Sequence, residues 1–354
     1  MEASSGKESY HSHNSNKESP HLNSQGNAIN KKMQRMIHFL KNAKPELVPD
    51  LELFVMSGDS KSPNELIYYK PSSEELGVVQ LPLDEGPFVE ITKARRYCRA
   101  ALRTKDFQIL CTDKEPLQAF TLLGQEIDLK LESFKDVLET AKQESPYGYE
   151  IDYSSLFEDI AFSENYIYLG TGYFGPLFRA PLSEFVSGKA TYEKIAECNY
   201  FEDLSVEGDL VSFAGERDVF VIKDSELSIW QQEHTVYRLF RVVEGNTAIF
   251  AAVTENTIEI RSLDIGSLRW GETLKIPCTG FLQWFSFLHG GLLVVEEGIG
   301  KFVVVDIHDG NVQKCHSTGF EGVQKREHFN QVLFDEVHGL VYLSSREGTY
   351  STRL

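Results

Sequence analysis

Phe157-Glu158-Asp159-Ile160 and Phe201-Glu202-Asp203-Leu204 are one short phrase written twice, 44 residues apart. The apolar stretch behind each copy repeats in phase, since Tyr166-Ile167-Tyr168 corresponds to Leu210-Val211-Ser212 at the same offset. Further copies of that stretch centre on Ile249, Leu293 and Val341, at intervals of 38, 44 and 48 residues. A sustained period of about 40–45 residues reads as one supersecondary unit repeated along the chain.

Working outward, each copy leads through a polar turn into a third β-rich segment: Leu177–Pro181, Val219–Lys223, Thr257–Ser262, Phe302–Ile307 and Thr349–Leu354. A fourth usually follows, at Thr191–Ala196, Leu227–Gln231, Leu268–Gly271 and Val312–His316. Four short strands per unit predict the blades of an all-β propeller; one blade cannot bury both its faces, so blades must stack in a closed ring. Upstream, Ile91–Leu102, Phe107–Cys111 and Leu117–Leu123 read as another blade, and Leu51–Ser57, Glu65–Tyr69 and Gly77–Leu81 as part of one more. Between these and the regular repeats, Phe134, Val137, Leu138 and Ala141 form a helical stripe, so a helical insertion is expected near 132–145. The expected architecture is a β-propeller of six or seven four-stranded blades over residues 45–354. The last unit stops after its third strand. A ring leaves no edge open, so its outer strand is expected from near the N-terminus, with Leu51–Ser57 the best candidate.

Residues 1–28 are almost wholly polar and are expected to be a disordered tail, with too little apolar surface to offset ordering entropy. In residues 29–44, Ile29, Met33, Met36, Ile37 and Leu40 fall at helical spacing among basic side chains, and Pro45 and Pro49 end the pattern. This basic amphipathic helix has three possible destinations: a partner protein, a membrane surface, or the chain's own acidic domain.

The net charge of −18 is unevenly spread: residues 1–44 carry seven basic and three acidic side chains, which leaves −22 for the remainder. So acidic a domain repels nucleic-acid phosphate and anionic membranes and favours basic partners. No apolar run is long enough to span a membrane, and the first thirty residues lack the apolar core of a signal peptide. The five cysteines, Cys98, Cys111, Cys198, Cys278 and Cys315, are odd in number and widely spaced, without a C-x-x-C pair. Scattered cysteines imply a reduced compartment, so a cytoplasmic or nuclear location is expected.

The segment Phe302-Val303-Val304-Val305-Asp306-Ile307-His308-Asp309-Gly310-Asn311-Val312 resembles the third-to-fourth strand hairpin of WD40-like and quinoprotein-like propellers. Thr257–Leu263, continuing through Asp264-Ile265-Gly266 to Trp270, is a poorer copy. The likeness covers these hairpins and, loosely, about three hundred residues of periodicity. No Trp-Asp dipeptide closes any repeat and no Gly-His opens one, so the resemblance implies a fold and names neither a specific family nor a cofactor.

Glu158, Asp159, Glu202 and Asp203 stand where the chain enters the innermost strands of adjacent blades, near the central channel. They form a negative patch for a basic peptide, a carboxylate site for a divalent cation, or residues that solvate the strand entrance or hold its turn. The loop carrying Tyr173 and Phe174 between glycines is expected on the same face, where exposed aromatics suit an interface. Trp230 and Trp270, 40 residues apart in equivalent fourth strands, are expected between blades, and Trp284 in the core. His11 and His13 form an H-x-H pair in the tail without a preorganised ligand set. No G-x-S-x-G or phosphate loop is present, and no catalytic residue, metal site or cofactor is expected.

These readings converge on an intracellular, non-enzymatic protein-interaction scaffold that binds a protein or basic peptide on one propeller face, with Met33, Met36, Ile37 and Leu40 as the tail helix's contact residues. Two alternatives compete. A metal-dependent hydrolase or lactonase needs carboxylates converging on an ion in the channel. A ubiquitin-ligase substrate receptor would use the Ile29–Leu53 region as its adaptor-binding helix.

Overall fold

The structure is a computed structural model. It describes residues 20–48, 54–56, 65–70, 72–83, 88–93, 98–103, 107–112, 118–121, 123–129, 132–144, 159–170, 176–198, 201–279, 285–321, 329–345 and 348–354. Its strands form seven four-stranded antiparallel sheets. The chain begins with helix α1 (Pro20–Asn42) and strand β1 (Glu46–Leu47). Blade one is β2 (Phe54–Met56), β3 (Glu65–Lys70), β4 (Glu75–Gln80) and β5 (Phe88–Lys93). Blade two is β6 (Cys98–Arg103), β7 (Phe107–Thr112), β8 (Gln118–Thr121) and β9 (Glu126–Ile127), followed by helix α2 (Glu132–Glu144). Blade three is β10 (Asp159–Phe162), β11 (Tyr166–Gly170), β12 (Pro176–Pro181), the short helix α3 (Leu182–Val186) and β13 (Glu193–Glu197).

The later blades are more regular. Blade four is β14 (Glu202–Glu207), β15 (Leu210–Ala214), β16 (Asp218–Lys223) and β17 (Glu226–Gln231). Blade five is β18 (Arg238–Glu244), β19 (Thr247–Val253), β20 (Thr257–Asp264) and β21 (Arg269–Pro277). Blade six is β22 (Ser286–His289), β23 (Leu292–Gly298), β24 (Lys301–Asp306) and β25 (Val312–His316), with helix α4 (Thr318–Glu321) behind it. Blade seven is β26 (Phe329–Asp335), β27 (Leu340–Ser345) and β28 (Gly348–Arg353), completed on its outer edge by β1. The first strands neighbour one another from blade to blade: β2 with β6, β6 with β10, β10 with β14, β14 with β18 and β18 with β22.

Burial on both faces explains the composition of these strands. In blade six, Leu292, Val294, Phe302 and Val304 face blade seven, whereas Leu293, Val295, Val303 and Val305 face blade five. A strand buried on both sides reads as a continuous apolar run instead of an alternating one. Blade five divides likewise, with Phe250 and Ala252 against blade four and Ala251 and Val253 against blade six. Trp230 and Trp270 meet in the seam between blades four and five with ring centroids 5.5 Å apart, as their 40-residue spacing predicts. Trp284 lies outside the described residues.

Two seams are widened by helices. Phe134 of α2 packs edge-on against Phe178 and Tyr192, with centroids 5.2 and 4.7 Å apart, which places the expected insertion beside blade three. On α1, Met33, Met36, Ile37, Phe39 and Leu40 are buried between blades six and seven, against Phe285, Phe302, Phe320, Val341 and Leu343. Each such side chain removed from water is worth about 1.5–3 kcal/mol before entropy is counted. Of its three possible destinations, the helix therefore takes the chain's own domain.

Three expectations are corrected. The closing strand is Glu46–Leu47, paired as Glu46↔Ser351 and Leu47↔Tyr350, while the Leu51–Ser57 region supplies β2 of blade one. Ile91–Leu102 is not one strand: β5 ends at Lys93 and β6 begins at Cys98, in different blades. The helix begins at Pro20 and not at Ile29, so residues 20–28 belong to it; Pro is well suited to a first helical turn, where its missing N–H leaves no bond unmade. Residues 1–19 lie outside the described residues, and with them the greater part of the expected disordered tail.

Candidate functional site

In each meander the start of the first strand and the turn between the second and third strands fall at one end of the blade. These ends together make one face of the ring, the entrance face. Asp159 opens β10 opposite Gly170, Glu202 opens β14 opposite Ala214, and β10 lies beside β14. The repeated acidic phrase therefore arrives at one end of the channel from two adjacent blades. Glu158, Tyr173 and Phe174 lie outside the described residues, and for Asp159 and Glu202 it is the backbone that is placed.

Asp203 has a described side chain, and it is turned into the fold. Its backbone has a φ of 52°, a left-handed conformation that Asp tolerates, within a register shift between Glu202 and Ser205. Its Oδ2 accepts the Leu239 N–H at 2.7 Å and lies 3.3 Å from Arg238 Nε. Asp203 thus ties the entrance of blade four to the first strand of blade five.

The same face carries acids that the motif reading missed. Glu216 and Glu255 are exposed in the second-to-third turns of blades four and five, and Glu233 is exposed just after β17. Glu216 and Glu255 are 39 residues apart, so a search of turn positions at the blade period finds them. Asp218 in the blade-four turn is partly buried, and burial raises its carboxyl above the ordinary range. Arg217 is the exposed counter-charge in that turn.

Beneath this face, charged groups join the blades. Arg241 donates from Nη1 to the Leu210 carbonyl (3.3 Å) and Ser212 Oγ (3.0 Å), and from Nη2 to Ser205 Oγ (3.0 Å). Burial pulls its pKa down, and the Glu207 carboxylate, 3.7 Å away, opposes that. Glu259 is buried and takes Lys275 Nζ at 3.2 Å, and Glu233 takes the same Nζ at 3.1 Å, so Glu233 is already paired. With the Gln232 amide oriented to donate to Glu259 (2.8 Å), its oxygen accepts from Trp230 Nε1 (2.9 Å). Burial pushes the Glu297 carboxyl up, but hydrogen bonds from Lys314 (2.7 Å) and from the Thr279 hydroxyl and N–H outweigh it, so the net shift is downward. Desolvation and the Glu297 charge push the nearby Cys278 thiol up to about 11.

The opposite face is formed by first-to-second and third-to-fourth turns. There His308 sits between two carboxylates, with Nε2 2.8 Å from Glu244 of blade five and Nδ1 3.2 Å from Asp306 of its own blade. Met33, Met36, Ile37 and Leu40 are all buried in the seam between blades six and seven, so their apolar surface is already occupied. Among the described residues no group of three His, Cys, Asp or Glu side chains is arranged to hold a metal ion, and no helix is long and apolar enough to cross a membrane.

The chain is a β-propeller, a fold that the seven stacked meanders and their solved neighbours define together. It is similar to the WD40 β-propeller domain of Doa1, with 10% identity, a TM-score of 0.54, and 88% of this chain and 96% of that one covered. BamB from Moraxella catarrhalis superposes with a TM-score of 0.51 at 9% identity over 85% and 84% of the two chains. A streptogramin B lyase does so with a TM-score of 0.54 at 11% identity over 88% and 97%. The sequence itself matches no protein-family model and no curated protein. At such identities the likeness establishes the fold alone, and the neighbours include a WD40 domain and a lyase, so activity must be argued from the site.

Proposed function

We propose that this chain is a non-enzymatic protein-interaction scaffold whose entrance face binds a protein partner through a basic, peptide-like segment. The observation that carries the reading is the placement of Asp159 and Glu202 at equivalent entrances of neighbouring blades, on the same face as the exposed Glu216 and Glu255. Carboxylates gathered at one end of a ring steer and orient a cationic segment. The −22 carried outside residues 1–44 adds a long-range field of the same sign. A cytoplasmic or nuclear setting fits the free, buried thiols of Cys278 and Cys315.

The test compares the full-length chain with a Glu216→Lys/Glu255→Lys variant as bait. Partners are identified by mass spectrometry, purified and titrated. The substituted residues are exposed, so the variant should retain the wild-type melting temperature. A direct partner whose affinity falls about tenfold or more on charge reversal supports the reading. Partners that bind both baits equally contradict it.

A further inference from the structure

On the face opposite the acidic entrances, a cleft of about 1390 Å³ opens between α1 and blades six and seven. One wall is the exposed side of α1, with Lys31, Lys32, Arg35 and His38; the other is the His289-Gly290 turn and Glu336. Met36, Phe39 and Leu292, buried in the seam, underlie its base. The volume exceeds the roughly 300–1,000 Å³ of ordinary small-molecule pockets and suits a stretch of polypeptide.

Positive charge prevails in this cleft, where Lys31, Lys32 and Arg35 stand against the acidic side chain of Glu336. Lys31, Lys32 and Arg35 have no carboxylate at ion-pair distance among the described residues. Glu336 is engaged by His289 Nε2 at 3.1 Å, and that imidazole stacks on Phe334 with centroids 3.8 Å apart. Three unneutralised cations thus project from a body whose remainder carries −22. We propose that this cleft is a second binding site, which takes an acidic peptide segment of a partner protein, anchored by one aromatic or aliphatic side chain. Charge complementarity selects the occupant. The long stems of the lysines and arginine give the anchor an apolar surface to lie on.

Two other polyanions fit less well. An anionic membrane would draw on the apolar residues of α1, and those are already buried in the seam. A nucleic-acid duplex or a bilayer extends beyond one cleft and meets the acidic remainder of the ring, whereas a short segment stays within about a Debye length, 8–10 Å, of the three cations.

The experiment uses the full-length chain and fluorescence anisotropy. The probe is a fluorescein-labelled peptide of Glu and Asp containing one Trp and one Leu. Comparison ligands are the same peptide with Gln and Asn in place of the acids, vesicles of phosphatidylcholine and phosphatidylserine, and a short DNA duplex. Saturable binding of the acidic peptide is expected. It should weaken about tenfold or more with the Gln/Asn peptide and with the Lys31→Glu/Lys32→Glu/Arg35→Glu variant, whose substitutions are all exposed and leave the melting temperature unchanged. Lys41→Glu, on the same helix outside the cleft, should bind within about twofold of wild type. The Glu216→Lys/Glu255→Lys variant should also retain binding, which separates this site from the entrance face. Absence of saturable binding, equal binding by the charge-reversed helix or by the Gln/Asn peptide, or tighter binding of vesicles or duplex overturns the proposal.

Discussion

Leu40 is the position at which the role of α1 can be measured with least ambiguity. It is fully buried and packs with the aromatic and aliphatic side chains of blades six and seven. Leu40→Ala leaves a cavity walled by two rigid sheets that cannot collapse around it. Truncations of this kind cost about 2–5 kcal/mol, and a poorly relaxing site belongs near the middle of that range, at about 3 kcal/mol. For a domain of this size a urea slope of about 3 kcal/mol/M is reasonable, so the midpoint should fall by about 1 M with the slope unchanged. Lys41→Ala, one residue on and exposed, should move stability by no more than about 0.5 kcal/mol. The effect should also travel. Asn42 ends α1, Lys44 N–H bonds Thr352 Oγ1 at 3.1 Å, and Val48 N–H bonds the Thr349 carbonyl at 2.9 Å. Loosening α1 therefore loosens β1, and the amides of Gly348–Arg353 should exchange faster in Leu40→Ala. An unchanged urea midpoint, or equal midpoints for the full chain and for a chain lacking residues 1–44, would refute the reasoning.

Further outcomes follow from other joints. Gly291→Ala should destabilise more than Gly245→Ala, as read by thermal unfolding. Both have positive φ, but a Cβ at 291 falls 2.5 Å from the His308 ring, whereas at 245 nothing lies within 4 Å. The expected costs are about 2–3 kcal/mol at 291, with loss of the His308 bridge, against about 1 kcal/mol at 245. Asp203→Asn keeps an acceptor for the Leu239 N–H and tolerates the left-handed backbone, so it should cost about 1 kcal/mol, and Asp203→Ala about 2 kcal/mol or more, in chemical unfolding. The Glu297 carboxyl is held below its unfolded value, so its stabilising contribution is complete above about pH 4.3 and is lost as pH falls through the folded pKa. Wild type should therefore exceed Glu297→Gln in stability at pH 7, and the two should converge in acid; a difference that grows as pH falls contradicts this.

The sequence announced the later blades because their physics leaves a plain trace. Strands buried on both faces, such as Phe302–Val305, read as uninterrupted apolar runs, and Gly or Asp turns punctuate them at blade intervals. The first blades are less legible. Between Lys93 and Cys98 no Gly or Pro marks the passage from one blade to the next, so apolar periodicity runs across the boundary. The closing strand is two exposed residues held by main-chain pairing and by the adjoining helix, which leaves no side-chain pattern to detect. By contrast Leu51, Leu53 and Val55 alternate clearly and attract the assignment, although Phe54–Met56 serves as the first strand of blade one. At the candidate site the repeat marked the entrances at Asp159 and Glu202. Sequence left open whether Asp203 faces a partner or holds a turn; its bond to Leu239 is a contact across blades that no local motif encodes. The basic cleft was likewise out of reach, because it exists only once α1 is laid beside His289 and Glu336.

Closure of the ring by the N-terminal segment fixes α1, the cleft and the blade count together. It can be tested by disulfide trapping. Leu47 and Tyr350 are directly paired residues of β1 and β28. Directly paired antiparallel residues lie about 4.5–5.5 Å apart, within the span a disulfide accepts. The Leu47→Cys/Tyr350→Cys chain, mildly oxidised in the native state and digested, should yield a cross-linked peptide joining residues 47 and 350. Phe54→Cys/Tyr350→Cys should yield none. A cross-link from 54 to 350 in place of 47 to 350 would mean that a different strand closes the ring, and the seating of α1 and its cleft would fall with it.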